Sequence, residues 1–144
     1  QVFWLNVSVK LPNTILLEME SQSKTVELLK SLPAVQIDNG TFKYLLFEVV
    51  AAAGEKRRLV RGELYADNHS EIAENWIQGY KRRGLQATVL GGGRIVHDPK
   101  KRTVKVYGQS FGFPWVEGVD NSAAADLCQE FFSDYTVEWS NTGY

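Results

Sequence analysis

From residue 42 to residue 50 the chain reads Phe-Lys-Tyr-Leu-Leu-Phe-Glu-Val-Val, an apolar run with two charges and no clean alternation. A short run of strand formers without a polar face predicts a strand that is largely buried. Asp38-Asn39-Gly40 just before it is a turn signal. Residues 51–58 read as a loop and 59–66 as a second strand. The period then changes. Ile72, Trp76, Ile77 and Tyr80 recur at helical spacing, behind Asn68 and Glu71, which form a capping pair with Asn in place of Ser or Thr. A basic last turn and Gly84 end that helix. Residues 85–90, 94–97 and 103–107 return to strand character, the last two joined by the turn Asp98-Pro99-Lys100-Lys101. After a loop over 108–118, residues 120–132 predict a helix with Ala124, Leu127, Cys128 and Phe131 on one face, and 135–139 a closing strand. The pattern is weakest at the start. Residues 1–17 read as a weak strand or an untethered arm, and Val26, Leu28, Leu29 and Leu32 as a short helical segment ended by Pro33. No internal repeat or low-complexity tract occurs. Two helices amid about six strands predict an α/β (α+β) single domain, one sheet with helical cover.

Composition narrows the partners. The 144 residues fit one domain, and 44% hydrophobic with 12% aromatic residues mark a chain with a real core. Sixteen basic against seventeen acidic residues leave a net charge of −1, which argues against nucleic-acid binding. The clusters Lys56-Arg57-Arg58, Lys81-Arg82-Arg83 and Lys100-Lys101-Arg102 fall at loops or helix ends and read as solvated turns. Cys128 is the only cysteine, so neither an internal disulfide nor a paired-cysteine metal site is expected, and a reducing, cytoplasmic setting fits. Sequons at Asn6, Asn39 and Asn68 would matter only on a secretory route. No apolar run has the length of a membrane span, and Gln1-Val2-Phe3-Trp4-Leu5 lacks the basic flank of a signal peptide.

The candidate chemistry gathers around Leu90-Gly91-Gly92-Gly93-Arg94-Ile95-Val96-His97. Three glycines between strand-like segments are expected where the backbone bends sharply or another group comes very close. Arg94, directly after them, is a permanent cation suited to carboxylate or phosphate. By itself the octet would be a tight hairpin and a surface arginine. His69, however, sits in the first turn of its helix, where unpaired N–H groups attract anions and disfavour imidazolium. His69 and His97 could share a zinc ion only with a third ligand, and none has suitable spacing. The glycine run lacks the Gly-Lys-Ser/Thr ending and helix of a P-loop. Gly108-Gln109-Ser110-Phe111-Gly112 has the letters of a nucleophile elbow. Pro114 nevertheless interrupts any following helix, and no histidine lies beyond His97.

Taken together, these motifs resemble the small protein-phosphohistidine phosphatases of the Janus family from about Pro33 onward. The matching stretches are Gly40-Thr41-Phe42-Lys43-Tyr44, Val60-Arg61-Gly62, the helix start at His69 and the glycine run through His97. Val104-Lys105-Val106-Tyr107-Gly108-Gln109-Ser110 and the ending from Asp134-Tyr135 to Gly143-Tyr144 complete them. The resemblance implies a mixed sheet flanked by two helices and metal-independent removal of phosphate from phosphohistidine in proteins, with no cofactor. His69 would be the catalytic base or nucleophile. Lys43, Arg61 and Arg94 would surround the phosphate with positive charge, and backbone N–H groups near Ser70 and along Ser110, Phe111 and Gly112 would cradle its oxygens. The expected partners are phosphohistidine-containing proteins and phosphate, with no nucleic acid or membrane, and the chain is expected to be a monomer. Residues 1–32 would be an N-terminal extension, partly unstructured, ahead of a domain over 33–144, so a chain starting at Met19 should fold and work. Asn68, Ser70-Glu71, Gln109 and Phe113-Pro114-Trp115 depart from the family pattern and bear on substrate preference. A non-catalytic phosphate-recognition module on the same fold is the alternative.

Overall fold

The computed structural model describes residues 10–143. Its centre is the apolar run, now strand β2 (Gly40–Val50), whose side chains from Tyr44 to Phe47 are fully buried. A strand buried on both faces must have neighbours on both edges and cover on both sides. On one edge lies β3 (Lys56–Glu63), antiparallel, and beyond it β1 (Val35–Ile37), parallel to β3. The other edge carries β4 (Gln86–Asp98), antiparallel to β2, then β5 (Thr103–Tyr107), antiparallel to β4, then β6 (Thr136–Trp139), parallel to β5. The sheet order is β1-β3-β2-β4-β5-β6, a mixed six-stranded sheet in an α+β domain.

Helix α2 (His69–Arg82) covers one face through Ile72, Ala73 and Tyr80, packed with Leu45, Phe47, Val49 and Leu59. Helix α3 (Asn121–Phe131) covers the other through Ala124, Ala125 and Cys128, packed with Tyr44, Leu46, Ile95 and Val106. Burial of Cys128 pushes its thiol up to about 12.

Three expectations change. A third helix, α1 (Asn13–Ser31), replaces the short segment around Val26 to Leu32 and the arm or strand expected to reach residue 17. Residues 1–9, where the rest of that expectation falls, lie outside the described residues. The side chains of residues 13–24 are exposed all round, so this half carries no buried stripe and gives no periodic signal. Only its last two turns dock, through Thr25 and Leu29, and Leu29 belongs to the core. The core therefore reaches back past Pro33. Arg57 fixes that docked end, donating to the carbonyls of Leu29 (2.5 Å) and Leu32 (2.6 Å).

The second change is at the glycines. Residues 85–90 and 94–97 are not two segments around a sharp bend but one continuous strand, β4. Its register against β2 runs Leu46↔Gly91 and then Phe47↔Val89, leaving Leu90 as an extra residue in a β-bulge. Residues before the bulge (Ala87, Val89) face α2 at odd positions, whereas after it the even-numbered Arg94 pairs with Lys43. The third change is at the outer strands: β1 is too short at three residues to show any period, and β3 begins at Lys56, so Lys56-Arg57-Arg58 lies in a strand and not in a loop or solvated turn.

Candidate active site

Asn68 has extended backbone, and its side-chain oxygen accepts the N–H of Glu71 at 3.0 Å, which starts α2 at the next residue, His69. The Glu71 carboxylate reaches back to the N–H of Asp67 at 3.2 Å. His69 is thereby held over the glycine strip of β4. Its Nε2 lies 2.9 Å from the carbonyl of Gly93. A carbonyl can only accept, so Nε2 carries the hydrogen and Nδ1 keeps its lone pair. Burial lowers the pKa of the ring, and the nearby cations Lys43 and Arg94 lower it further against the opposing effect of the Gly93 bond. The lowered pKa favours the neutral ring.

Each glycine admits a different neighbour. A Cβ on Gly92 would run into the Tyr44 carbonyl and come within 2.6 Å of Leu45 Cδ2 and 3.4 Å of His69 Cδ2. One on Gly93 would strike the carbonyl of Tyr107 and approach that of Gly108 (3.1 Å), and one on Gly91 would enter the Trp115 ring. The expectation of close approach holds at all three.

Lys43 and Arg94 are paired residues on adjacent strands and share the α2 face. With His69 and the turn that leaves β5, they enclose a hollow of about 130 Å³, closed by Gln109, Ser110 and Phe111. Gly108 enters that turn with φ +75°, a left-handed conformation that favours glycine. Ser110 is buried. Its N–H donates to the Gly92 carbonyl at 3.0 Å, and its Oγ accepts the Phe113 N–H at 3.3 Å. Its backbone donor is thus spent on fastening the loop to the glycine strip, and what it offers the hollow is its hydroxyl hydrogen. Phe111 lines the hollow yet is 79% exposed, while Gly112 stands in open space beside it.

Two expected residues lie apart from this hollow. Arg61 is fully buried beneath α2; its Nε donates to the Tyr80 hydroxyl (2.9 Å), its NH1 to the Val60 carbonyl (2.9 Å), and its guanidinium lies 5.0 Å from the centre of the Trp76 ring. Ser70 is exposed in the first turn of α2 and does not line the hollow. His97 sits on the α3 face against the stacked rings of Phe132 and Tyr135, with Nδ1 on the Asp38 carbonyl at 2.8 Å. The two histidines are on opposite faces of the sheet. Among the described residues no three His, Cys, Asp or Glu side chains gather as a metal-binding group. A larger hollow, about 640 Å³, opens between the end of β2 at Val50 and the end of α2 at Lys81, without a histidine, cysteine or carboxylate in its lining.

One residue of the site's framework was missed. Asn121 is fully buried, accepts from the Tyr44 hydroxyl, and donates through Nδ2 to the carbonyls of Gly108 (2.7 Å) and Ser140 (3.0 Å). It ties the entrance of the Gly108 turn to α3 and the C-terminal segment. Its signal was its phase: Asn121 falls on the same stripe as Ala124, Ala125 and Cys128.

A family model described as Janus/Ocnus family (Ocnus) matches residues 29–136. A 14 kDa phosphohistidine phosphatase of Sus scrofa is 33% identical over 123 residues, covering 81% of this chain and 95% of that protein. The Homo sapiens protein of the same name is 32% identical over 120 residues, covering 78% and 94%. A sex-regulated protein janus-A of Drosophila yakuba is 36% identical over 119 residues, covering 82% and 86%.

Proposed function

Because this chain belongs to the Janus/Ocnus family, we propose that it is a hydrolase of the phosphoramidate bond of phosphohistidine in proteins and works without a metal ion. The observation that carries the reading is an imidazole whose Nε2 is held by the Gly93 carbonyl and whose Nδ1 is free, set in a hollow of about 130 Å³ between two cations. Two of the relatives bear the name phosphohistidine phosphatase, which favours this activity over simple phosphate recognition. Binding alone would need the cations and N–H groups, not a histidine locked in one tautomer.

Phosphoryl transfer passes through a loose transition state, so positioning and charge stabilisation supply most of the catalysis. Lys43 and Arg94 take the peripheral oxygens, and the Ser110 hydroxyl donates a further hydrogen bond. The N-terminus of α2 adds the positive end of its dipole. In one route water adds its oxygen to phosphorus as the substrate P–N bond breaks, His69 Nδ1 accepts the proton of that water, and the departing imidazole takes a proton. In the other, His69 Nδ1 bonds to phosphorus as the substrate P–N bond breaks and the departing imidazole takes a proton; water then adds to phosphorus and releases His69. A quench in base during turnover separates the routes, since only the second leaves phosphate on His69. Arg61 acts from beneath α2, by setting Tyr80 and Trp76 under the helix that carries His69.

The test is phosphate release from a phosphohistidine peptide in excess EDTA. The expected result is full activity with chelator and, in a folded His69→Ala variant, a loss of ~10²–10⁴ or more. Activity that vanishes in EDTA and returns with one divalent metal would overturn the metal-free reading. A variant retaining more than about a tenth of the rate would remove His69 from catalysis.

A further inference from the structure

Lys43 and Arg94 do not line one hollow only. On their other side a second hollow of about 140 Å³ opens, floored by Thr41 and walled by Leu64 and Ala66. The two recesses therefore share a wall made of the two cations. The second is built, not incidental. The backbone N–H of Leu64 is fastened to the Asp38 carboxylate at 2.6 Å, and the Asp67 N–H to Glu71 at 3.2 Å, so the segment between β3 and α2 is held at both ends. Leu64 leans toward Gly40, where even an added Cβ would lie 3.8 Å from its Cδ1. Leu64 is 41% and its neighbour Tyr65 90% exposed, an apolar rim beside a charged site.

The occupant follows from the size of the first hollow and from charge. About 130 Å³ holds a phosphoryl group and little more, so whatever carries the phosphohistidine must leave across the rim. Two cations already balance a phosphoryl dianion, and an acidic side chain in the second hollow would find no free positive partner there. Phe42, Leu64 and Ala66 make up the apolar half of its lining, opposite the cations and Thr41, and that half gains from cover by an apolar side chain. We propose that the second hollow receives an apolar side chain of the substrate polypeptide, from a residue next to or one removed from the phosphohistidine. The site then discriminates between phosphohistidine proteins by sequence and prefers them to free phosphohistidine. This inference rests on the phosphohistidine reading of the first hollow.

The test uses the full chain with free phosphohistidine and with phosphohistidine peptides bearing Leu, Gly or Asp at the flanking positions. Binding of the same peptides carrying a non-hydrolysable phosphonate analogue is measured in parallel, so that recognition is read without turnover. The expected result is a lower KM and Kd for Leu-flanked peptides, and in Leu64→Asp about a tenfold loss of that preference with free phosphohistidine unaffected. Leu64→Met, which keeps an apolar wall, should retain the preference. Equal use of all three peptides, a preference for Asp, or an equal loss on free phosphohistidine in Leu64→Asp would overturn the proposal. If no substrate is hydrolysed but the Leu-flanked analogue binds in a Leu64-dependent way, the subsite stands and the catalytic reading falls. Failure of every analogue to bind would overturn the subsite.

Discussion

His69 carries two constraints that can be separated by measurement. Its tautomer is set by the Gly93 carbonyl, and its pKa is lowered mainly by burial and then by Lys43 and Arg94. The ring must be neutral to act at Nδ1, so activity falls only when it protonates, and a lowered pKa moves that loss to more acid pH. The acid limb of kcat/KM is therefore expected below the ordinary histidine value of about 6.5. Removing a cation by Lys43→Met should raise the pKa of His69 and move the limb upward, besides weakening substrate. A limb unmoved by Lys43→Met, tracked by NMR titration of the ring, would deny the electrostatic contribution. Ser110 yields a second contrast. Ser110→Ala keeps the N–H bond to Gly92 but strands the Phe113 N–H and loses the hydroxyl donor. Losing one hydrogen bond to a charged phosphoryl oxygen predicts a fall of roughly 10- to 100-fold in kcat/KM, whereas loss of a serine nucleophile would cost roughly 10⁴-fold or more. The sequence read these residue types as site-forming. What it lacked was direction: whether Arg61 faces a phosphate or a tyrosine depends on packing under α2 and not on its neighbours in the chain.

At the scale of elements, strands and caps were legible where one short-range rule decided them. The buried run of β2 and the Asn68–Glu71 start of α2 stand where the pattern puts them. Helix α1 does not follow such a rule, since no side chain of its first half is buried and good helix formers such as Leu, Met, Glu and Lys carry it. It is anchored by Arg57, whose guanidinium satisfies carbonyls that a helix leaves unpaired at its C-terminus. Two truncating changes should therefore differ in effect. Removing residues 1–18, of which the helical residues 13–18 are exposed, should shift Tm by about 1 °C or less. Arg57→Ala should lower Tm by roughly 4 °C and raise hydrogen exchange in residues 25–31, because the docked turns lose their clamp. A larger drop from the truncation than from Arg57→Ala, by calorimetry of both, would mean that the exposed half is structural.

At the scale of the whole molecule, the sheet separates two cores. The α3 face holds Ile95 and His97 in packing roles, and the α2 face holds Lys43, Arg94 and the ring of His69. The glycine run was legible as a place of close approach, but its second property was hidden, because a bulge is visible only against the partner strand. Leu90 is the residue without a counterpart on β2. Side chains alternate along a strand, so this one addition changes the parity of everything downstream. If Leu90 is deleted, either the half bearing Arg94 or the half bearing Ala87 and Val89 must turn its side chains to the opposite face. The glycines, the arginine and their spacing would all survive on paper. The expected outcome is a chain that loses activity, stability or both, while deletion of exposed Glu117 from the loop between β5 and α3 is far milder; equal effects in thermal melts and turnover would refute the parity argument. Comparisons among relatives inherit the same arithmetic: a gap aligned at Leu90 preserves every letter of the motif and still puts its cation on the wrong side of the sheet.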